Sequence, residues 1–150
     1  MQSRRFLVTG GSQGIGAAVV QQARGAGHKV VFTGRNSDRI RKVAEQTGAT
    51  GIAADVSRSD DNARTVEACI EEMGGVDVLV NNAGYAYRAQ IGEVDLKAMR
   101  EMFDVNVFGL VDLTNRIVPL MKEQEEGDIF NIASTSGLKG GPGGTGYSAS

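Results

Sequence analysis

Short apolar runs alternate with longer amphipathic stretches along this chain. Arg5 to Thr9 (RFLVT), Lys29 to Thr33 (KVVFT), Thr50 to Ala54 (TGIAA), Val76 to Val80 (VDVLV) and Asp128 to Ala133 (DIFNIA) have strand length. They are apolar enough to lie inside a sheet covered on both faces. The segments between them carry helical spacing. Gly14 to Ala26 sets Ile15, Val19, Val20 and Ala23 on one side. Ser37 is placed to cap a helix over 38–47, and Gly48 to end it. Ser57 is placed to cap the next helix, which runs to Met73 and stops at Gly74-Gly75. A long helix is expected over 96–122, with Pro119 loosening its last turn. Thr145 to Ser150 (TGYSAS) reads as the first turn of a further helix that presents the phenol of Tyr147.

Strands separated by helices of 10–25 residues predict parallel pairing, because each crossover must return to the same edge. The right-handed crossover rule then points to an α/β fold, a Rossmann-like doubly wound parallel sheet. Five strands are expected in the order 3-2-1-4-5. No linker and no internal repeat interrupts the alternation, so residues 1–150 read as a single domain.

Composition narrows the function. The charge of −2 argues against nucleic acid or an anionic membrane as partner. No apolar segment approaches the 18 residues of a membrane span. The single cysteine, Cys69, precludes an intramolecular disulfide and fits a reducing cytoplasm. It sits among helical apolar residues and reads as a buried structural thiol. One histidine and one cysteine make a metal enzyme an unfavoured reading, with no metal expected. Glycine stands out, at 21 residues where an average chain would hold about 7%. The glycines cluster at 10–16, 74–75 and 137–146, which points to sites built from backbone.

The first cluster is Thr9-Gly10-Gly11-Ser12-Gln13-Gly14-Ile15-Gly16, directly between the first strand and the first helix. Gly10 ends the strand where the chain must fold back. Gly14 and Gly16 let the helix start approach a diphosphate, whose charge the helix N–H groups and dipole would face. Gly10, Ser12, Gln13, Gly14, Ile15 and Gly16 are therefore the candidate diphosphate binders. A P-loop is excluded, since no Gly-Lys-Ser/Thr follows the turn. The Gly-x3-Gly-x-Gly spacing resembles that of the short-chain dehydrogenase/reductase family. Three further motifs carry the resemblance: Asp55-Val56 after the third strand, Asn81-Asn82-Ala83-Gly84 after the fourth, and Ser134 and Tyr147 standing 13 residues apart. It covers the chain from residue 5 to 150.

The resemblance implies a fold, a cofactor and a chemistry. Asp55 and Val56 would lie beside adenine, and Asn82, Ala83 and Gly84 would help bind the cofactor. An acidic residue at the end of strand two binds the ribose hydroxyls of NAD and repels the extra phosphate of NADP. By resemblance that residue falls at Gly34, and the arginine of NADP-type relatives falls at Arg35. NADP is thus the expected cofactor, with NAD second, because a guanidinium suits a phosphate. Tyr147 would be the acid/base, Ser134 would hold the substrate oxygen, and Asn106 would anchor a water of the proton relay. A phenol titrates near 10, so the family lowers its tyrosine with a lysine one helical turn later. That lysine would fall at position 151, immediately after Ser150.

These residues are expected to be the cofactor-binding portion of a longer, homo-oligomeric enzyme acting on a small carbonyl or alcohol substrate. The 150-residue chain alone is then expected to be marginally stable and without reductase activity. Tyr85, Tyr87 and Arg88 are candidates for the substrate-pocket rim. The competing reading is a dinucleotide-binding regulatory or scaffold protein that keeps the fold without the chemistry.

Overall fold

A computed structural model describes residues 2–150. Five strands form one parallel sheet: β1 (Arg5–Val8), β2 (Lys29–Gly34), β3 (Thr50–Ala53), β4 (Val78–Asn81) and β5 (Asp128–Asn131). Their order is β3-β2-β1-β4-β5, as expected. Leu7 pairs with Val31 on one side and Leu79 on the other, and Leu79 pairs in turn with Ile129. The helices are α1 (Gly14–Gly25), α2 (Ser37–Thr47), α3 (Ser59–Met73), α4 (Leu96–Phe103), α5 (Leu110–Glu123) and α6 (Thr145–Ala149).

Successive strand residues point to opposite faces, so each face collects its own core. Val8, Val30, Phe32, Val78 and Val80 meet Val20 and Ala23 of α1 and Ile40 and Val43 of α2. Leu7, Val31 and Leu79 meet Cys69 and Met73 of α3 and Leu113, Ile117 and Met121 of α5. Burial on both faces explains why these strands read as unbroken apolar runs. Cys69 lies fully inside, and burial pushes its thiol up to about 12, which keeps it protonated and structural. β5 is an edge strand, and Ile129, Phe130 and Ile132 nearby stay substantially exposed.

The helix ends correct several expectations. Gly48 and Gly74 do end α2 and α3 in the left-handed conformation, at φ 67° and 80°. Asn36, not Ser37, caps α2: its side chain accepts the Arg39 N–H at 2.9 Å. Ser57 does not cap α3, because Asp55 takes both its N–H at 3.0 Å and its hydroxyl at 2.7 Å. Asp61 in the first turn of α3 instead reaches back to accept the Asp55 N–H at 2.8 Å. That bond, then the Arg64 guanidinium, holds the Asp61 carboxyl below its ordinary range. Ile15, expected on the packed side of α1, is 62% exposed and borders the cleft at the start of the helix. The expected long helix is two helices joined by a π-turn over Asp104–Gly109. Pro119 lies within α5, which continues to Glu123; the buried stripe Leu113, Ile117 and Met121 packs this helix on the sheet.

Two polar contacts tie distant elements together. At the N-terminal edge of the sheet, Arg5 clasps Asp77 with its guanidinium and donates its N–H to the same carboxylate at 2.8 Å. In the α3–α5 layer, the buried Asn62 donates to the Val56 carbonyl at 2.8 Å and to Asp112 at 2.9 Å. The turn after β3 is thereby anchored to two helices. Replacing Asn62 with Ala is expected to cost about 1–3 kcal/mol of stability, measured by denaturant unfolding, since a buried carbonyl loses its donor. The Arg5 guanidinium holds the Asp77 carboxyl below the usual carboxylate range. Its stabilisation is full above the unfolded value near 4 and is lost as pH falls through the lower folded value. Asp77→Asn should lower Tm at neutral pH and flatten the fall in Tm below about pH 4.

Candidate active site

The site lies along the C-terminal ends of the strands, where an open α/β sheet forms its crevice. A cleft of about 720 Å³ runs from the β1–α1 turn, past the ends of β2 and β3, to the segment after β5 and α6. Of the candidate catalytic and cofactor-binding residues read from the sequence, all but Gly16 border it. Gly16 is buried, and a Cβ there would lie 2.4 Å from the Gly10 carbonyl oxygen. Its place is to let α1 press against the end of β1.

The β1–α1 turn is stitched to the segment after β4. The Thr9 hydroxyl accepts N–H bonds from Asn82 and Ala83, both at 3.0 Å. The Asn82 side chain returns donors to the carbonyls of Thr9 at 2.9 Å and Gly10 at 3.2 Å. Asn82 thus shapes the turn from behind, and Thr9 is a site-building residue whose role the motif alone did not reveal. The Gly11 N–H is spent on the Thr33 carbonyl at 2.8 Å. Beyond it, α1 begins at Gly14 with φ 54°, and Gln13 stands at the cap position without capping. Among the described residues no acceptor meets the N–H groups of Gly14, Ile15 or Gly16, and the first turn holds no acidic side chain. Orphan donors at a helix N-terminus demand a partner, and at Gly14 and Ile15 this one opens on the cleft.

The end of the cleft beside β2 and β3 is charged. Arg35, two-thirds exposed, stands 3.7 Å from the Asp55 carboxylate across the mouth between β2 and β3. Arg39 of α2 donates to the Gln13 side chain, bridging the two helix starts. Val56 is buried and packs into the α3–α5 core, so only the turn's edge meets the cleft.

At the other end Tyr147 opens α6, and Ser134, Asn106 and Ser150 border the same space. Ser134 caps a short 3-10 turn by accepting the Ser136 N–H at 3.1 Å. Asn106 sits in the π-turn, and its side chain is fully engaged. It accepts the Tyr85 N–H at 3.1 Å and donates to the Tyr85 carbonyl at 3.0 Å and to the Ser150 hydroxyl at 2.9 Å. Ser150 passes the chain of bonds on to the Tyr147 carbonyl at 3.0 Å. Of the three expected rim residues only Tyr85 borders the cleft, and burial pushes its phenol up. Tyr87 turns away: its hydroxyl accepts the Asp95 N–H at 2.9 Å at the start of α4.

Comparison with known proteins agrees with this geometry. The sequence profile of the short chain dehydrogenases matches residues 4–150. An uncharacterized oxidoreductase of Staphylococcus saprophyticus is 37% identical, aligned to 100% of this chain and 67% of its own length. An oxidoreductase of Botryotinia fuckeliana is 29% identical across 95% of this chain and 53% of its own. Among solved structures, a short-chain dehydrogenase from Streptomyces avermitilis superposes with a TM-score of 0.93 at 32% identity. That superposition takes in 99% of this chain and 55% of the other. The chain therefore spans between about half and two-thirds of the length of these relatives. From the first strand to the last helix, sequence and fold agree that this chain belongs to the short-chain dehydrogenase family.

Proposed function

We propose that these residues form the cofactor-binding part of an NADP-dependent oxidoreductase that interconverts a carbonyl and an alcohol. The observation that carries this reading is the uncapped start of α1, open on a cleft whose far wall bears Arg35 and no carboxylate at the end of β2. The residues present fit a dinucleotide. A Cβ at Gly14 would meet nothing within 4 Å, so the turn leaves room for a ligand against the helix start.

When bound, the nicotinamide supplies or accepts hydride. The chain's own residues do the rest. The N–H groups of Gly14 and Ile15 receive the diphosphate, aided by the helix dipole. Arg35 leaves Asp55 to meet the 2′-phosphate, a stronger partner for a guanidinium than one carboxylate at 3.7 Å. Asp55 and Val56 border the adenine. Tyr147 exchanges a proton with the substrate oxygen, and Ser134 orients that oxygen once its hydroxyl hydrogen turns into the cleft. Asn106 is the brace that keeps the tyrosine helix and the Tyr85 loop in register. The substrate is a small carbonyl or alcohol, handled in the cytoplasm by a homo-oligomer.

Adenosine 2′,5′-bisphosphate and 5′-AMP differ only in the 2′-phosphate and probe the adenosine end directly. The chain should bind the bisphosphate more tightly. Arg35→Ala should weaken it by roughly 10- to 100-fold, as for loss of one charge-assisted bond of about 1.5–3 kcal/mol. Binding of 5′-AMP should hardly change; equal losses for both probes by calorimetry would defeat the NADP assignment. In an active oxidoreductase that contains these residues, Tyr147→Phe should abolish turnover and leave NADPH affinity within about 3-fold, as expected when only a proton-transfer group is removed. Undiminished turnover would favour a role for this fold without Tyr147 chemistry.

A further inference from the structure

The rim segment from Tyr85 to Ala89 has no regular secondary structure, yet its odd-numbered N–H groups are all engaged. Tyr85 donates to the Asn106 side chain at 3.1 Å, Tyr87 to the Met102 sulfur at 3.2 Å and Ala89 to the Gly143 carbonyl at 3.0 Å. The N–H groups of Ala86 and Arg88, between them, meet no acceptor among the described residues. One side of the segment is thus fastened in turn to the π-turn, to α4 and to the loop before α6.

The middle fastening joins two walls of the site. A thioether is a weak acceptor, and methionine more often serves a core as a flexible filler. Met102 is fully buried and does both. Its sulfur takes the Tyr87 N–H, and its methyl group lies under the start of α6. A Cβ built on Gly146 would stand 3.3 Å from the Met102 Cε, and 3.5 Å and 3.6 Å from the Met99 Cγ and Cε. Met99 and Met102 are three residues apart on α4, so they share one face of that helix. The first turn of α6, with Tyr147 next to Gly146, rests on these two side chains. Gly146 has no positive φ, so its backbone does not call for glycine; the close seat on α4 does.

Resting on the reading of Tyr147 as the acid/base, we propose that Met102 is a positioning residue for the reaction. Its sulfur holds the middle of the rim segment and its methyl group seats the tyrosine helix. One side chain therefore sets the separation between the rim at Tyr85 and the phenol of Tyr147. The Asn106 bond reaches α6 at Ser150, just past the end of the helix, whereas Met102 acts at its first turn. Support at both ends fixes the tilt of α6 as well as its place, and proton transfer depends on both. Leucine at position 102 would fill the volume but offer no lone pair. The Tyr87 N–H would then face a methyl group, and the rim would drift between its two remaining fastenings.

Amide hydrogen exchange of the ligand-free chain, followed residue by residue by NMR, tests the linkage. The Tyr87 amide should be protected, and those of Ala86 and Arg88 should exchange freely. Met102→Leu conserves volume and should leave Tm within about 5 °C. It should speed exchange at Tyr87 by about 10-fold or more, and at Ser148 and Ser150 with it, while Leu7 and Val31 in the sheet stay unchanged. Gly146→Ala crowds the Met102 methyl group and should also speed exchange at Tyr87. A Tyr87 amide as open as its neighbours, or one equally protected in Met102→Leu, overturns the proposal. So does an effect at Tyr87 that leaves Ser148 and Ser150 unmoved. If Met102→Leu does not fold, Gly146→Ala decides the same point. In an active oxidoreductase that contains these residues, Met102→Leu should lower kcat roughly 10-fold, with the KM for NADPH within about 2-fold. An unchanged kcat overturns the positioning role. Should Tyr147→Phe keep full turnover, the catalytic reading fails, while exchange still decides whether Met102 joins the two walls.

Discussion

The bonds between Thr9 and Asn82 determine what the start of α1 can do. One threonine hydroxyl accepts two N–H groups from the segment after β4, and the Asn82 amide answers with two donors to the β1–α1 turn. Gly11 is held from the opposite side by Thr33 of β2. A turn clamped from both neighbouring strands cannot fold back to cap its own helix. The donors of the first turn are left pointing into the cleft, already placed for an anion. Binding then needs little ordering of the turn, which is where preorganised sites gain affinity.

The opposite end of the cleft is organised around a defect. A regular helix from α4 into α5 would carry Asn106 past the cleft; the π-turn widens the backbone there, as π-bulges at functional sites often do. The Asn106 amide can then reach Tyr85 on one side and Ser150 on the other. Loop, π-turn and tyrosine helix therefore move as one unit or not at all. The turn after β3 is fixed independently, by Asp61 and Asn62 of α3 and by Asp112 of α5. Three loops from three strand ends thus reach the cleft, each with its own anchor.

Much of this was legible in the sequence, for identifiable reasons. The sheet was legible in apolar runs that leave no polar face, as expected of parallel strands covered on both sides. The glycine turn was legible because its spacing is dictated by backbone geometry. What escaped were features set by competition between polar groups. Ser57 and Ser37 have the composition of caps, but Asp55 captured the first and Asn36 displaced the second. Ile15 has the periodicity of a core residue, yet it stands exposed on the cleft. The π-turn has no periodic signature in DVNVFG, where apolar spacing is the same for a helix with or without one extra residue. The role of Thr9 was hidden for another reason. It depends on Asn82, 73 positions away, which only the fold brings beside it.

The account turns on the helix start as an anion site, and a crystal structure of this chain grown with NADP+ examines that claim most directly. The diphosphate oxygens are expected within hydrogen-bonding distance of the amides of Gly14 and Ile15, with the turn from Thr9 to Gln13 unmoved. Cofactor density elsewhere on the surface, or a helix start found capped by its own side chains with the cleft bare, would contradict it.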